Sequence, residues 1–337
     1  MNSKKKSAAT IKDVAEAAGV SVGTVSRVLA KESAVKAALQ ERVLKAMSDL
    51  DYRVNIAART LRTRQIDLVG LILPDITNPF FSQLAKCVEV EAVKRGHSLM
   101  LASSHGDIEA ERSHVQAFLD RSVRGIVVVA AADGSGRSLD SPVPIVSVDR
   151  RFGRYPLVTT DHEKGAELVA DYLYELGHRH IAYIAGPQDT EVGRLRRDGF
   201  VKRIRALGAR GDKLILKIRQ GRFDYTSGER VARKLLGASK TPPVTAIAAA
   251  SDQLAIGALR SARDLGLLVP EDVSIVGFDD IELASLVVPR LTTVRQQTDL
   301  LAKEAMDRIF GEGRKRHPQL VAGELVIRDS TSSAPDS

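Results

Sequence analysis

The groups most ready for chemistry lie at the start of the chain. Residues 1–65 hold 13 of the 50 Lys and Arg but 6 of the 42 Asp and Glu, a local net charge of +7, which leaves the remainder almost neutral at +1. A small cationic module on a neutral body suits a polyanionic partner; the plainer reading is a soluble basic head. Elsewhere the groups that would serve catalysis do not assemble. Gly134-Ser135-Gly136 follows an apolar run as a dinucleotide turn does, but Leu139 stands where the third glycine is needed, and no acidic partner or P-loop supports it. His178 and His180 flank Arg179 with no second cluster to complete a metal site, so they read as residues at a helix end. No Ser-His-Asp arrangement stands out. No catalytic residue, metal or cofactor is expected.

These groups need elements to position them. Residues 10–51 read as helix. Ile11, Val14, Ala15 and Ala18 fall at helical spacing with Gly19 as a stop, and Thr10 with Asp13 forms a capping box with Asp in the Glu role. Ser21 caps a second helix that turns Val25, Val28 and Leu29 inward. A third runs from about Lys36 to Leu50 with Leu39, Val43, Leu44 and Met47 inward. Two short helices joined by a tight glycine turn have the arithmetic of a helix-turn-helix.

From Ile66 the pattern becomes strand, helix, strand. Strand candidates are Leu68–Leu73, Ser98–Ala102, Gly125–Ala130, Ile145–Val148, His180–Ala185, Val244–Ala249 and Val273–Gly277, with a long helix from Pro79 to Arg95. Gly96, Gly177, Gly208 and Gly266 each follow a helical stretch as left-handed caps. Such repeats imply parallel sheets covered on both faces. The length is too great for one doubly wound sheet, so two similar α/β subdomains are expected, with a ligand in the cleft between them. A hydrophobic fraction of 44% is enough for a real core. No apolar run is long enough to span a bilayer, no apolar segment follows the Met-Asn-Ser-Lys-Lys-Lys start, and there is one cysteine, Cys87. A cytoplasmic protein is expected.

The run Ile-Lys-Asp-Val-Ala, then Ala-Gly-Val-Ser, then Thr-Val-Ser-Arg-Val-Leu, closely resembles the DNA-binding segment of the lactose-repressor (LacI/GalR) family. The resemblance continues through Asn78-Pro79-Phe80-Phe81, Val148-Asp149, Arg196-Arg197-Asp198-Gly199-Phe200, Ser251-Asp252, Val276-Gly277-Phe278-Asp279-Asp280 and Leu291-Thr292-Thr293-Val294. It implies an all-α helix-turn-helix head joined to a periplasmic-binding-protein-like α/β body of two doubly wound parallel-sheet subdomains. The expected limits are a disordered basic arm over 1–9, the head over 10–54, a hinge helix over 55–65, the body over 66–330 and a tail over 331–337. Within the body the N-subdomain takes about 66–162 and 291–322, and the C-subdomain about 163–290 and 323–330.

Residue by residue, the resemblance puts the helix from Ser21 in the major groove. Val22 and Gly23 are the positions the family uses to choose sequence, yet Val22 offers only methyl surface and Gly23 only backbone. Arg27 is therefore the expected base reader, since a guanidinium pairs bidentately with guanine. Thr10, Ser21, Thr24, Ser26 and Lys36 are expected DNA contacts, most of them to phosphate, which positions without specifying; Thr24 and Ser26 also suit plain helix-surface roles. Asn55 to Arg62 resembles the hinge that folds in the minor groove when two copies meet, with Leu61 as wedge, Ala58 beside it and Arg62 in the same groove. The sequence departs from the family at Ala30, Lys36 and Leu39, and at Val54, where a proline commonly precedes the hinge.

In the body the resemblance implies an effector pocket of Phe80, Phe81, Asp149, Arg196, Phe223, Ser251, Asp279 and Gln296. Carboxylates accept pairs of hydroxyls, a guanidinium donates as a fork, and aromatic faces cover apolar sugar or base faces. Without the resemblance, Arg196 and Asp279 read as surface ion-pair residues and the phenylalanines as core. A sugar or sugar derivative is the expected effector, and a purine or nucleoside the alternative; Ser251 stands where sugar-responsive members often carry Asn. The expected protein is a repressor that binds double-stranded, palindromic operator DNA as a homodimer. The dimer face is expected near Pro79–Arg95 and the helix after Asp107, with no tetramer, because the tail has no leucine heptads. A solute-binding protein or an enzyme is the rival reading.

Overall fold

The computed structural model describes residues 9–29, 35–52, 67–136, 139–209, 213–237, 244–311 and 318–335. They divide into two compact units, Met1–Gln65 and Ile66–Ser337.

Among the described residues the first unit packs three helices: α1 (Ile11–Ala18), α2 (Val22–Leu29) and α3 (Ala37–Asp49). The expected capping box starts α1: Asp13 accepts from the Thr10 amide at 2.7 Å and donates its own amide to Thr10 Oγ1 at 3.4 Å. The turn into α2 needs a left-handed residue, which Gly19 supplies at φ 61°. Ser21 Oγ then accepts from the Thr24 amide at 3.1 Å and opens α2. Val14, Ala15, Ala18, Val25, Val28, Val43 and Ala46 form the core, whose alanines let the helices approach closely. Leu44, expected inside, is 51% exposed. It lies one residue past Val43, about 100° around the helix, and Ala46 takes the inward place instead.

The second unit holds two six-stranded sheets. The strands and helices are β1 (Leu68–Leu73), α4 (Pro79–Lys94), β2 (Ser98–Ser103), α5 (Ile108–Asp120), β3 (Ile126–Val128), β4 (Ile145–Val148), β5 (Leu157–Thr160), α6 (His162–Glu175), β6 (His180–Ala185), α7 (Glu191–Gly208), β7 (Ile215–Gln220), α8 (Tyr225–Leu236), β8 (Ala246–Ala249), α9 (Asp252–Asp264), β9 (Ser274–Asp279), β10 (Thr292–Arg295), α10 (Thr298–Phe310), β11 (Gln319–Val321) and β12 (Glu324–Val326). The first sheet has the order β11-β5-β4-β3-β1-β2 and the second β12-β10-β9-β8-β6-β7. Every pairing is parallel except β10 with β12. Central strands read as unbroken apolar runs because both faces are covered: Leu71, Ile72 and Leu73 of β1 are all buried.

The chain passes between the lobes after β5, after β10 and after β11. Two sequence expectations change here. Thr292–Arg295 belongs to the second lobe, not the first, because its threonines find their partners there: Thr293 Oγ1 donates to Asp252, and Thr292 Oγ1 meets Thr331 Oγ1 at 3.0 Å. The described tail is docked: the Ser332 amide donates to Ser274 Oγ at 3.0 Å and the Ala334 amide to Leu176 O at 2.8 Å. Gly208 ends α7 as a helical residue followed by Ala209 at φ −65°, whereas Gly96, Gly177 and Gly266 take left-handed angles of 75°, 86° and 74°. His178 is explained by packing: its ring nitrogens meet Thr245 Oγ1 at 3.0 Å and Ser274 Oγ at 3.1 Å. Among the described residues no helix is long and apolar enough to cross a membrane.

Candidate nucleic-acid interface and ligand cleft

On α2 the residues expected to meet DNA divide by exposure. Ser21, Gly23 and Arg27 are exposed, as is Val22 at 41%, and Thr24 is half-buried. Ser26 is 6% exposed and sits on the side of α2 that packs inward, so it drops out of the exposed phosphate-facing set. Arg27 stays on the surface with Nε donating to Gly23 O at 3.4 Å, a long bond one helical turn back. Ser21 and Thr24 share a hydrogen bond at 3.0 Å, so each also serves as cap chemistry. Thr10 is exposed, but its side chain is engaged in the α1 capping box. Lys36 precedes α3 with no side-chain cap bond. Asn55, Ala58, Leu61 and Arg62 lie outside the described residues.

One structural residue of the head escaped the sequence reading. Arg42 of α3 donates Nη2 to Ala18 O at 2.6 Å, tying α3 to the carbonyls that end α1. A side chain at position 19 would strike that guanidinium at 2.7 Å. Arg42 and Gly19 together fix the turn that presents α2.

The cleft is built at the carboxyl ends of the strands, where open α/β sheets collect ligands. Asp149 follows β4 at φ 61°, and Asp279 ends β9 at φ 127°. Both are non-glycine residues with left-handed φ, and a fold holds such angles only where its surroundings enforce them. Arg196 of α7 is buried between the lobes. Its Nη1 donates to Ala250 O at 2.6 Å and stands 3.0 Å from Asp279 Oδ1, and its guanidinium lies 3.9 Å over the Phe278 ring. Gln296 donates to Asp279 Oδ1 at 2.7 Å and accepts from Thr160 Oγ1 at 2.7 Å, which joins two of the crossings between lobes.

The electrostatics follow from burial. Burial holds both Asp252 and Asp279 above the ordinary range; the Asp279 charge adds to this at Asp252, while at Asp279 Arg196 and Gln296 offset part of it and the Asp149 charge adds to it. Asp252 is held by the Ile281 amide at 2.8 Å and by Thr293 Oγ1. Burial alone would raise Asp149, but His162 beside it and the Arg150 and Arg196 cations outweigh that and keep it below the ordinary range. Burial, then the Arg196 charge, lowers His162, so its ring is neutral.

Of the expected pocket residues, Asp149, Arg196, Asp279 and Gln296 meet in this network, and Phe223 lies 5.8 Å from the Arg196 guanidinium. Ser251 contributes differently: its hydroxyl caps α9, accepting from the Leu254 amide at 3.3 Å. Phe80 and Phe81 are buried against each other with ring centres 5.4 Å apart. Phe81 still presents its ring to Arg150 at 5.4 Å. Arg150, His162, Thr160 and Asp252 were missed. The signal for Arg150 was its place directly after Asp149; for His162 it was the pair Asp161-His162 opening a helix. Among the described residues, Asp149 Oδ1 and Arg150 Nε are buried without a hydrogen-bond partner. His162 Nε2 is 3.3 Å from that Oδ1 but is not aligned to donate to it.

Across the mouth of the cleft, Asp133 of the first lobe reaches the second. Its carboxylate accepts from Arg194 Nη2 at 2.5 Å and from the Glu191 amide at the start of α7 at 3.1 Å.

Comparisons with known proteins agree with both halves. A family profile described as "Bacterial regulatory proteins, lacI family" matches residues 10–55, and one described as "Periplasmic binding protein-like domain" matches residues 170–331. The ribose operon repressor of Halalkalibacterium halodurans is 34% identical over 337 residues, covering 97% of this chain and 98% of that protein. The lac repressor dimer, solved bound to operator and the anti-inducer ONPF, superposes with a TM-score of 0.82 at 31% identity, covering 96% of this chain and 99% of the other. A LacI family transcriptional regulator from Enterococcus faecium, solved with bound ribose, superposes with a TM-score of 0.66 at 26% identity over 79% of this chain and 99% of the other.

Proposed function

The chain belongs to the lacI family of bacterial regulatory proteins, and from that premise we propose a dimeric repressor whose grip on a palindromic operator is set by a ribose-class sugar in the cleft. The α2 helix enters the major groove with Arg27 reading guanine, and Ser21, Thr24 and Lys36 hold phosphates. On the family resemblance, Asn55 to Arg62 takes the minor groove with Leu61 as its wedge. The protein works in the cytoplasm, where the DNA is.

One observation carries the sugar reading. Asp149 Oδ1 and Arg150 Nε are buried in the cleft without a hydrogen-bond partner, though Arg150 Nε stands 3.8 Å from Asp149 Oδ2 as an ion pair, and a desolvated group with an unmade hydrogen bond is costly. A polyhydroxylated ring satisfies both at once: a hydroxyl donates to the carboxylate and accepts from the guanidinium. The Phe81 and Phe223 rings, near the guanidinium groups of Arg150 and Arg196, suit the apolar faces of a sugar. A nucleoside contains the same ribose unit and is the second reading, favoured by these aromatic rings.

Calorimetric titration of D-ribose and adenosine into the whole chain tests this. D-ribose is expected to bind, and to change affinity for an operator selected from random duplexes. Binding of adenosine without D-ribose would move the assignment to nucleosides. Absence of binding by either would remove it.

A further inference from the structure

His162 is the first residue of α6, reached directly from the crossing after β5, and only 1% of it is exposed. Its neighbours fix every proton around it. Arg196 has only donors, so its Nε, 3.2 Å away, donates and His162 Nδ1 accepts. The proton of the neutral ring must then sit on Nε2. Nε2 also stands 3.3 Å from Asp149 Oδ1, but it is aligned on Thr159 Oγ1 at 3.2 Å, so the hydroxyl accepts there and keeps its own proton for Asp149 O, 3.0 Å away. The chain of donation therefore runs in one direction: Arg196 to His162 to Thr159 to the carbonyl of Asp149. It begins on a helix of the second lobe and ends on the left-handed residue that places a carboxylate of the first.

We infer that His162 is the positioning residue of the effector cleft, holding Arg196 and the backbone of Asp149 in register across the two lobes through its neutral ring. The inference rests on the cleft reading above and adds a regulatory property to it. A second proton on the ring would take Nδ1 out of acceptor service and set a cation against Arg196. Arg196 would swing from its fork, the Asp149 carbonyl would lose its fixed donor, and the ligand would lose two groups together. The charged groups facing the ring are Asp149 after β4, Asp161 before α6 and Arg196 on α7. Asp279 acts through Arg196, and because its carboxyl is raised it contributes an acid response of its own.

The test measures D-ribose affinity of the full chain by calorimetry from about pH 7.5 down to the lowest pH at which the parent stays folded, because burial and the Arg196 charge hold the His162 ring below the ordinary imidazole range. His162→Leu fills the space but puts carbon where Nδ1 was, and an affinity loss of about tenfold is expected, the worth of one hydrogen bond to a charged donor. His162→Asn places Oδ1 where Nδ1 was, keeps the Arg196 bond, and is expected to stay within about threefold of the parent. The parent is expected to lose more affinity on acidification than His162→Asn, whose residual loss reports Asp279. Parent-like affinity in His162→Leu overturns the inference, as do equal acid losses in the parent and His162→Asn. If His162→Leu does not fold, as judged by its unliganded melting temperature, the acid comparison with His162→Asn decides alone. Arg196→Ala separates the two layers. If that variant binds as the parent does, or if the parent binds no D-ribose, the cleft reading falls and takes His162 with it; if Arg196→Ala fails to bind while His162→Leu binds normally, only the role of His162 is lost.

Discussion

Arg27 on the recognition helix and Arg196 in the cleft are the same side chain in opposite surroundings. Arg27 is exposed and tethered by one long bond to its own helix. Arg196 is buried and shared among Ala250 O, Asp279, His162 and the Phe278 ring. A solvated guanidinium holds its desolvation cost in reserve until a partner arrives, so it discriminates among partners and contributes little to the fold. A buried one has already met that cost, and its removal strands the groups that compensated it. The head is therefore the place to change recognition without changing stability, and the cleft the place where the two are inseparable.

The sharpest way to break this contrast is Arg196→Ala. It leaves Asp279 buried without its cation, which on buried pairs costs about 3–5 kcal/mol. Loss of D-ribose binding beyond the calorimetric range is expected, together with a lower melting temperature for the body and retained operator binding by the head. Unchanged stability would show that Arg196 is not the buried keystone its contacts suggest. Arg27→Ala comes next, with an expected loss of about 1–3 kcal/mol in operator binding, little change on random DNA and no change in melting temperature. Equal losses on operator and random duplexes, read by fluorescence anisotropy at fixed salt, would demote Arg27 to a phosphate contact.

The same contrast explains what could be read from the sequence. Helical spacing, caps and the glycine turn made the head legible from Thr10 to Leu50, with Leu44 misplaced because apolar character alone does not fix an angle on a helix. In the body the long buried strands were legible. Short strands such as Leu157–Thr160 and Gln319–Val321 were not, since they form by pairing with distant strands rather than by local pattern. Arg196 and Asp279 were found through resemblance. His162 was not: the Asp161-His162 pair marks a helix start, but the partners that give the ring its importance include Arg196, 34 residues away, which that local pair does not reveal. Gln296 was named, but its link to Thr160, 136 residues distant, exists only once both crossings are folded.

A third prediction probes an intermediate case, the exposed pair across the cleft mouth. Asp133 accepts from Arg194 and from the α7 amide at Glu191, contacts that exist only while the lobes are close. Exposed pairs contribute about 0.2–1 kcal/mol. Asp133→Ala should therefore weaken D-ribose binding by a few-fold at most, through faster release, and the deficit should shrink as salt rises. Stopped-flow release rates at low and high salt check this; a deficit independent of salt would point to packing of the 131–136 turn instead.

The remaining contrast lies in a buried carboxyl that the ligand never needs to touch. Asp252 is raised by burial and by the Asp279 charge, so the folded chain holds a proton there that the unfolded chain releases near pH 4. A group whose folded value is raised loses stability as pH climbs above its unfolded value, because ionising it in place costs free energy. Asp252→Asn keeps an acceptor for the Ile281 amide and meets Thr293 Oγ1 through Nδ2 with the direction of that bond reversed, while removing the titration. The variant should match the parent below about pH 4, where the carboxyl is neutral in both folded and unfolded chains, and should pull ahead progressively as pH rises from there to about 8. Urea unfolding of the body across that range reads the difference as diverging midpoints. Parallel curves would mean that Asp252 is ionised throughout, and that Thr293 and Ile281 stabilise a carboxylate rather than a carboxylic acid.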